Sequence, residues 1–526
     1  MKRILIIATL FIIAIGIGSC KKDITLTPAS GVTINNYFKN ANDITASLAG
    51  IYSAFQEEME GSGSTSDEGY GGRYNYWGDV RGDAFKGSTY ATYSVNEMAT
   101  NTLEFANAST DWAGLYKVIS RTNLAIQYYP QVPATDPNVT QTILNNSLSQ
   151  AYAMRAESYF YIVRLWGDAP EWTTAYLDIT QSGSKARTKA LTLVDSLIIP
   201  DLTKAYSLIQ KNQTPTIWYV GEGAICAIMA DVYMWRASMT GGGGNADYAN
   251  AITWYNKLFA AKNALGNPFG GAGGTGAAPT LETQLNWKNV FLNPTQSAEP
   301  IWSIFWDYTV NGCACIPVFV GLSNNPVQLD PNFQNQWKAL YKTDTRVAKS
   351  IDTLNTLNHI NMLYKYYNLV PTSAGITPVA GNLNFNPYLP MYRLSDVLLE
   401  YAEASAQTGD LATALRFLNL IHVRAGYPAI TAAQVPTSAA MINAILQEDE
   451  YELLGEGKRF FQLIRTNHVH TIMDPILNVR NGTTDPITGI TTPVTTGFID
   501  APNRYLWPLS QSALNANTLL KQNPGY

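Results

Sequence analysis

YRLSDVLLEYAEASAQTGDLATALRFLNLIHVRAGYP, residues 392–428, decides the fold. Apolar side chains recur at Leu394, Val397, Leu398, Tyr401 and Ala402, then at Leu411, Ala414, Leu415, Leu418 and Ile421, with Gly409 and Asp410 between the runs. Spacings of three and four put each set on one helix face, and the Gly-Asp pair separates one helix from the next. The stretch therefore predicts a helix hairpin. Ala402, Gly409 and Ala414 are small where a tetratricopeptide unit needs its two helices to approach closely. Downstream, the pattern predicts a long helix containing ELLGEGKRFFQLIR, residues 452–465, with Glu452, Glu456, Arg459 and Leu463 on one face.

The same periodicity extends outward along the chain. Ile44, Leu48, Ile51, Tyr52, Phe55 and Met59 predict an amphipathic helix with Asn42 as its N-cap. Further helices are expected over 111–129, 141–166 (ending at Gly167, before Pro170), 188–210 (interrupted by Pro200) and 221–239. Ala230, Ala251 and Tyr255 repeat the tetratricopeptide-like spacing around the 241–244 glycine run. At least three helix pairs result, enough to bury a continuous core by stacking. Two stretches, 61–101 and 263–308, lack a helical period yet are rich in aromatics, which argues for functional loops over disorder.

At the N-terminus, Lys2 and Arg3 precede the apolar run 4–15 and then Gly16-Ile17-Gly18-Ser19-Cys20. The run is too short to span a bilayer and fits a secretory signal over 1–19, with small residues before Cys20 as in a lipobox. Lipidation of Cys20 and a flexible tether over 20–31 are expected, followed by a single domain over 32–526. Only 14% of the 526 residues are charged and the net charge is −5, whereas Tyr numbers 31 and Trp 12. This balance excludes the basic stripe that nucleic acid requires and suits an uncharged polar ligand. Cys226, beside Ile225 and Ile228, reads as a buried free thiol; Cys313 and Cys315 read as thiols or a strained disulfide. The four His residues have no metal-ligand spacing, so no metal or other cofactor is expected, with a structural Ca2+ left open.

Four ordered motifs resemble the SusD/RagB family of Bacteroidetes outer-membrane lipoproteins: WGDVRGD at 77–83, AMRA at 153–156 through LWGDAP at 165–170, the hairpin with ELLGEGKRFFQLIR, and YLWP at 505–508 with the terminal QNPGY at 522–526. Gln462 departs from the Asp more often found there. Lys21, Lys22 and a single Asp23 depart from the acidic residues that often follow the cysteine in surface-exposed members. The resemblance implies a mostly α fold of four tetratricopeptide-like units, a SusD-like α/α superhelix with few short strands, carrying a loop-rich ligand-binding face, its C-terminal family region at about 390–526. It further implies capture of a glycan at the cell surface, outer-membrane attachment through lipid, delivery to a SusC-like TonB-dependent transporter, and no catalysis.

Sugar capture needs flat aromatic faces for pyranose C–H surfaces, with amide or guanidinium donors for hydroxyls. Candidates are Arg73, Trp77, Arg81, Tyr90 and Tyr93 from the first loop, and Trp306 and Tyr308 from the second. As a strand, IWSIFWDY places Trp302, Ile304, Trp306 and Tyr308 on one face, which equally suits a core. Two other readings stand beside glycan capture. Peptides or another nutrient suit the same aromatics, and the pairs Glu452/Glu456 or Asp79/Asp83 are the carboxylates a helical glycoside hydrolase would use. For Glu452 and Glu456, pairing with Lys458, Arg459 and Arg465 is the simpler expectation.

Overall fold

The computed structural model describes residues 37–526 except 62–71, 89–92, 179, 308, 312–325, 352–362, 364, 367–368, 373–374, 379–387, 487, 495–496 and 499–501. Cys20, Tyr90, Tyr308, Cys313 and Cys315 therefore lie outside the described residues. The fold is mostly helical, as the periodicity predicts. Helices Ala113–Tyr128 and Gln141–Trp166 pack together, Ile199–Leu208 packs on the second of these, and Glu222–Ser238 pairs with Asn245–Ala260. The Asn245–Ala260 helix lies against Leu394–Gln407, which pairs with Leu411–Arg424 and also meets Ser438–Glu452. Ala41–Glu60 covers the other end by packing on Ala113–Tyr128. Each helix alone exposes an apolar face, and stacking joins these faces into one core.

Local chemistry sets the boundaries. Asn40, two residues earlier than the expected cap, accepts from the backbone N–H of Asn42 and Asp43, while the Asp43 carboxylate accepts from the Asn40 N–H. Pro200 does not end its helix. A π-turn at Val194–Ile198 precedes it, placing the residue without an N–H in the first turn of Ile199–Leu208. Cys226 is a buried free thiol, as expected.

The helix expected across ELLGEGKRFFQLIR is broken. Ser438–Glu452 stops, Gly455 and Gly457 adopt φ of 77° and 75°, and a new helix runs from Arg459 to Arg465. Both glycines occupy the left-handed region that a side chain disfavours, so they form a loop rather than a helical turn. The WGDVRGD segment docks against this loop. Asp79 accepts from the N–H groups of Gly457 at 2.7 Å and of Lys458 and Arg459 at 3.2 Å, and Arg459 grips Asp83 with Nε at 2.9 Å and Nη2 at 2.6 Å. An early segment is thereby clasped to a late one.

Charged groups fill much of the interior. Glu452 and Glu456 do not pair with Lys458, Arg459 or Arg465. Glu452 meets Arg346, Arg393 and Arg424, and Glu456 meets Lys365 and Arg393. Lys458 pairs with Asp396, Arg459 with Asp83, and Arg465 with Asp231, Glu400 and Glu403.

A second network holds three cations, Arg164, Lys458 and Arg465, among six buried carboxyls: Glu157, Asp231, Asp396, Glu400, Glu403 and Asp449. Burying so many carboxyls together disfavours their charged forms. Burial pushes Glu157 up to about 7 and raises Glu400 and Asp449 well above the carboxylate range. A carboxyl raised in the native state favours folding most fully below its unfolded pKa, and that contribution is lost as pH rises through the native value. For Glu157 the window runs from about 4.5 to about 7. Glu157→Gln is expected to be more stable relative to wild type at pH 8 than at pH 5, by on the order of 3 kcal/mol. Urea unfolding at both pH values checks this, and an equal difference at both would remove the proton from Glu157.

Candidate functional site

The strand Pro300–Phe305 pairs antiparallel with Tyr388–Arg393, setting Phe305 opposite Tyr388 at the sheet's end. Its Ser303 N–H donates to Ile217 O at 2.8 Å, drawing the turn at 216–219 against the strand. Trp218 consequently lies beside both aromatics, with centroids 4.7 Å from Phe305 and 5.5 Å from Tyr388, the latter ring stacked at 25°. The turn is pinned from the other side. Val220 N–H donates to the Tyr52 hydroxyl at 2.8 Å, and Tyr219 sets its ring edge-on to Tyr52 at 4.9 Å. Phe305 is 40% exposed and Tyr219 42%, with Trp218 and Tyr388 half-buried, so these rings form an accessible aromatic platform.

Polar groups border it. Gln56 Nε2 donates to Phe305 O, and its Oε1 accepts from Asn311 Nδ2 at 2.7 Å. Asp307 accepts from the Thr309 hydroxyl at 2.6 Å and from its N–H at 2.8 Å, bonds that hold its carboxyl below the usual range. Burial raises the Glu60 carboxyl, although the Trp306 indole N–H, at 3.0 Å, pulls against the rise. Of the two stretches expected to be loops, 61–101 includes the helices Arg73–Gly78 and Tyr93–Thr100, and 263–308 includes the helix Asn289–Leu292 and the strand Pro300–Phe305. Gly72, at the start of Arg73–Gly78, lies beside Met59. Asn311 sits beside Gln56, and a second root forms where Pro326 O accepts from Ser88 N–H at 2.9 Å. The strand pair Phe85–Gly87 and Val327–Leu329 fixes that second root.

Four of the expected ligand contacts face inward instead. Trp77 has no exposed surface, donates its indole N–H to Ser109 O at 3.0 Å and packs edge-on to Trp166. Arg73 is buried against Glu58 at 2.8 Å. Arg81 is 1% exposed, donates to the carbonyls of Arg504 and Tyr505, and lies 4.4 Å from the Phe460 ring centroid. Trp306 is buried with its N–H on Glu60. Packing, buried carboxylates and backbone carbonyls consume these four side chains. Tyr93 starts the helix Tyr93–Thr100. Trp77→Ala is expected to cost about 3–5 kcal/mol of stability by leaving a cavity, read as a lowered urea midpoint; full stability with lost ligand binding would return Trp77 to the binding surface.

Sequence reasoning missed Trp218, Phe305, Tyr388, Gln56 and Asn311. No sequence signal marked Phe305: alternation along IWSIFWDY turns it away from Trp302, Ile304 and Trp306, but its own face also carries Ile301 and Ser303, both buried, and only its place at the strand's end leaves it open. The carboxylate pairs are not placed for hydrolysis. Asp79, Asp83, Glu452 and Glu456 are all buried, Asp79 capped by backbone N–H groups and the others in ion pairs. Aromatic faces with amide donors bind the C–H surface and hydroxyls of a sugar, or planar groups of a peptide.

Comparison with known proteins points one way. Residues 301–526 match the model of the SusD family. A SusD-like protein of Formosa agariphila is 25% identical, the alignment spanning 100% of both chains, and another from that organism is 23% identical over 85% of this chain and 87% of its own. Among solved structures, a laminarin-binding SusD-like protein superposes with a TM-score of 0.69 at 18% identity, covering 93% of this chain and 100% of its own. NanU of B. fragilis gives 0.68 at 22% identity, covering 95% and 100%.

Proposed function

Because the chain belongs to the SusD/RagB family, we propose that it is a glycan-binding lipoprotein that captures oligosaccharide or polysaccharide at the cell surface and delivers it to a SusC-like TonB-dependent transporter. The observation that carries the reading is the Trp218–Phe305–Tyr388 platform, an aromatic surface left open beside amide donors. A similar fold named for laminarin binding supports the ligand class. Tyr90, Tyr93 and Tyr308 are proposed to complete the site. Attachment to the outer membrane is proposed through acylated Cys20. The protein acts by binding and leaves the glycan intact.

Affinity electrophoresis through gels containing plant, fungal and host polysaccharides tests the reading. Retardation by at least one is expected, without release of reducing sugar. Trp218→Ala is expected to weaken it by roughly tenfold, equivalent to about 1.4 kcal/mol, with the urea midpoint nearly unchanged. Unaltered retardation would remove the platform as the site. Retardation by none, with peptides bound instead, would replace the glycan.

A further inference from the structure

A second accessible aromatic surface lies elsewhere in the fold. Two adjoining clefts, of 360 and 390 Å3, share Tyr116, Trp172 and Gly183. One continues to Ile119, Asn123, Thr174 and Tyr176; the other passes Trp112 and Pro170 to the C-terminal Ala513, Asn517 and Leu520. Each volume falls within the roughly 300–1,000 Å3 typical of small-molecule sites. No residue of either cleft belongs to the platform.

The shared Trp172 is half-buried and held firmly. Its N–H donates to the Tyr159 hydroxyl at 2.6 Å, and its carbonyl accepts from Asn123 Nδ2 at 3.1 Å. Asn123 is itself buried; its Nδ2 also reaches Thr174 O at 3.2 Å and its Oδ1 accepts from Arg155 at 2.8 Å. The Lys185 ammonium sits 4.1 Å from the centroid of the Trp172 ring, and Tyr176 meets that ring edge-on at 6.0 Å. Tyr116 is fixed by donating its hydroxyl to Pro170 O at 2.8 Å. Aromatic surface stays open despite this anchoring: Tyr176 is 43% exposed. Rigid, half-open rings lose little entropy on binding, which is the condition for a stacking site.

The lining also selects a ligand class. Ser120, Asn123, Thr174, Ser512 and Asn517 are neutral, and two charged groups beside them are already engaged: Asp111 accepts from the Ala113 N–H at 2.9 Å, and Lys185, over the Trp172 ring, donates to Glu171 O at 2.9 Å. We propose that this two-lobed cleft is a second carbohydrate subsite, one that takes a short neutral oligosaccharide of at least two sugar rings across Tyr116 and Trp172. The proposal rests on the glycan-capture reading and adds a second point of attachment. Two sites on one chain give avidity for a polymer that neither gives alone.

Fluorine NMR of the full chain labelled with 5-fluorotryptophan tests it, the Trp172 and Trp218 signals being assigned through Trp172→Phe and Trp218→Phe. The probes are maltohexaose, cellohexaose, laminarihexaose, xylohexaose and mannohexaose. At least one is expected to move both signals with separate midpoints, and to go on moving the Trp172 signal in Trp218→Ala. Movement of Trp218 alone overturns the second subsite and leaves glycan capture standing. Movement of Trp172 alone upholds the cleft and removes the platform, while movement of neither overturns both. Loss of the Trp172 response in Trp218→Ala overturns the subsite, because the signal then reports only the platform.

Discussion

Glu452→Gln is expected to lower the stability of the protein by about 3–5 kcal/mol. Glu452 Oε1 accepts from Arg393 Nη1 at 2.7 Å, Arg424 Nη2 at 2.5 Å and the Trp287 indole at 3.1 Å, and Oε2 accepts from Arg346 Nη1 at 2.9 Å. The residue has no exposed surface. Burial by itself would raise its pKa, but Arg424, Arg393, Arg346 and Lys365 together hold the carboxyl well below its ordinary range. Glutamine keeps the shape and removes the charge: Arg346 keeps Asp344 and Glu448, Arg393 keeps Glu456 and Arg424 keeps Glu299, but each loses one buried carboxylate contact to an amide whose NH2 also donates. Such a loss takes up much of the roughly 5–15 kcal/mol that stabilises a typical domain. A depressed carboxyl contributes its stability above the unfolded pKa and loses it only as pH falls through the native value. The difference between Glu452→Gln and wild type should therefore persist from pH 8 down past pH 5, the opposite of Glu157→Gln. Urea unfolding across that range measures it; a loss below about 1 kcal/mol would mean the arginines find other partners.

The partners of Glu452 mark where reading the sequence stops. Periodicity is local, so long helices such as Ala41–Glu60 and Gln141–Trp166 and the Leu394–Arg424 hairpin were legible from apolar spacing and from stops such as Gly409, whereas Arg73–Gly78, Tyr93–Thr100 and Pro331–Ala339 were not. Glu452 and Glu456 were legible as ion-pairing rather than catalytic, but their partners were not. Arg346 lies 106 residues away and Arg393 59, and no spacing rule reaches that far. Gly455 and Gly457 misled for a related reason. A glycine within a helical pattern costs only about 1 kcal/mol, so the run read as one helix until the docking of Asp79 explained why it must open. The aromatics divide along the same line: type and density pointed to the loops, yet exposure depends on what packs against each ring. Trp77 meets Trp166 and Tyr161, whereas Phe305 reaches the sheet's end, meets Trp218 and stays 40% exposed.

Gly78→Ala is expected to be comparably damaging through backbone contact. A Cβ at Gly78 would lie 1.9 Å from Gly457 O and 2.2 Å from its carbonyl carbon, and neither atom can rotate away as a side chain can. Gly457 cannot retreat easily, since its own α-carbon faces Tyr74, where a Cβ would come within 2.8 Å of the carbonyl oxygen. Separating the segments stretches the bonds from Gly457, Lys458 and Arg459 N–H to Asp79 and tilts Arg459 away from Asp83. Overpacking costs about 1–3 kcal/mol and each weakened buried hydrogen bond about 0.5–1.5, so a total near 3–5 kcal/mol is expected. Gly50→Ala is the matched control. Gly50 lies inside the Ala41–Glu60 helix, a Cβ there would meet Arg121 Nη1 at an ordinary 3.7 Å, and alanine should stabilise by roughly 0.5–1 kcal/mol. Hydrogen exchange locates the effect: in Gly78→Ala the amides of Gly457, Lys458 and Arg459 should lose protection before the Leu394–Arg424 hairpin does. Protection lost uniformly, or a Gly78→Ala change as mild as Gly50→Ala, would mean that the two segments fold independently of their clasp.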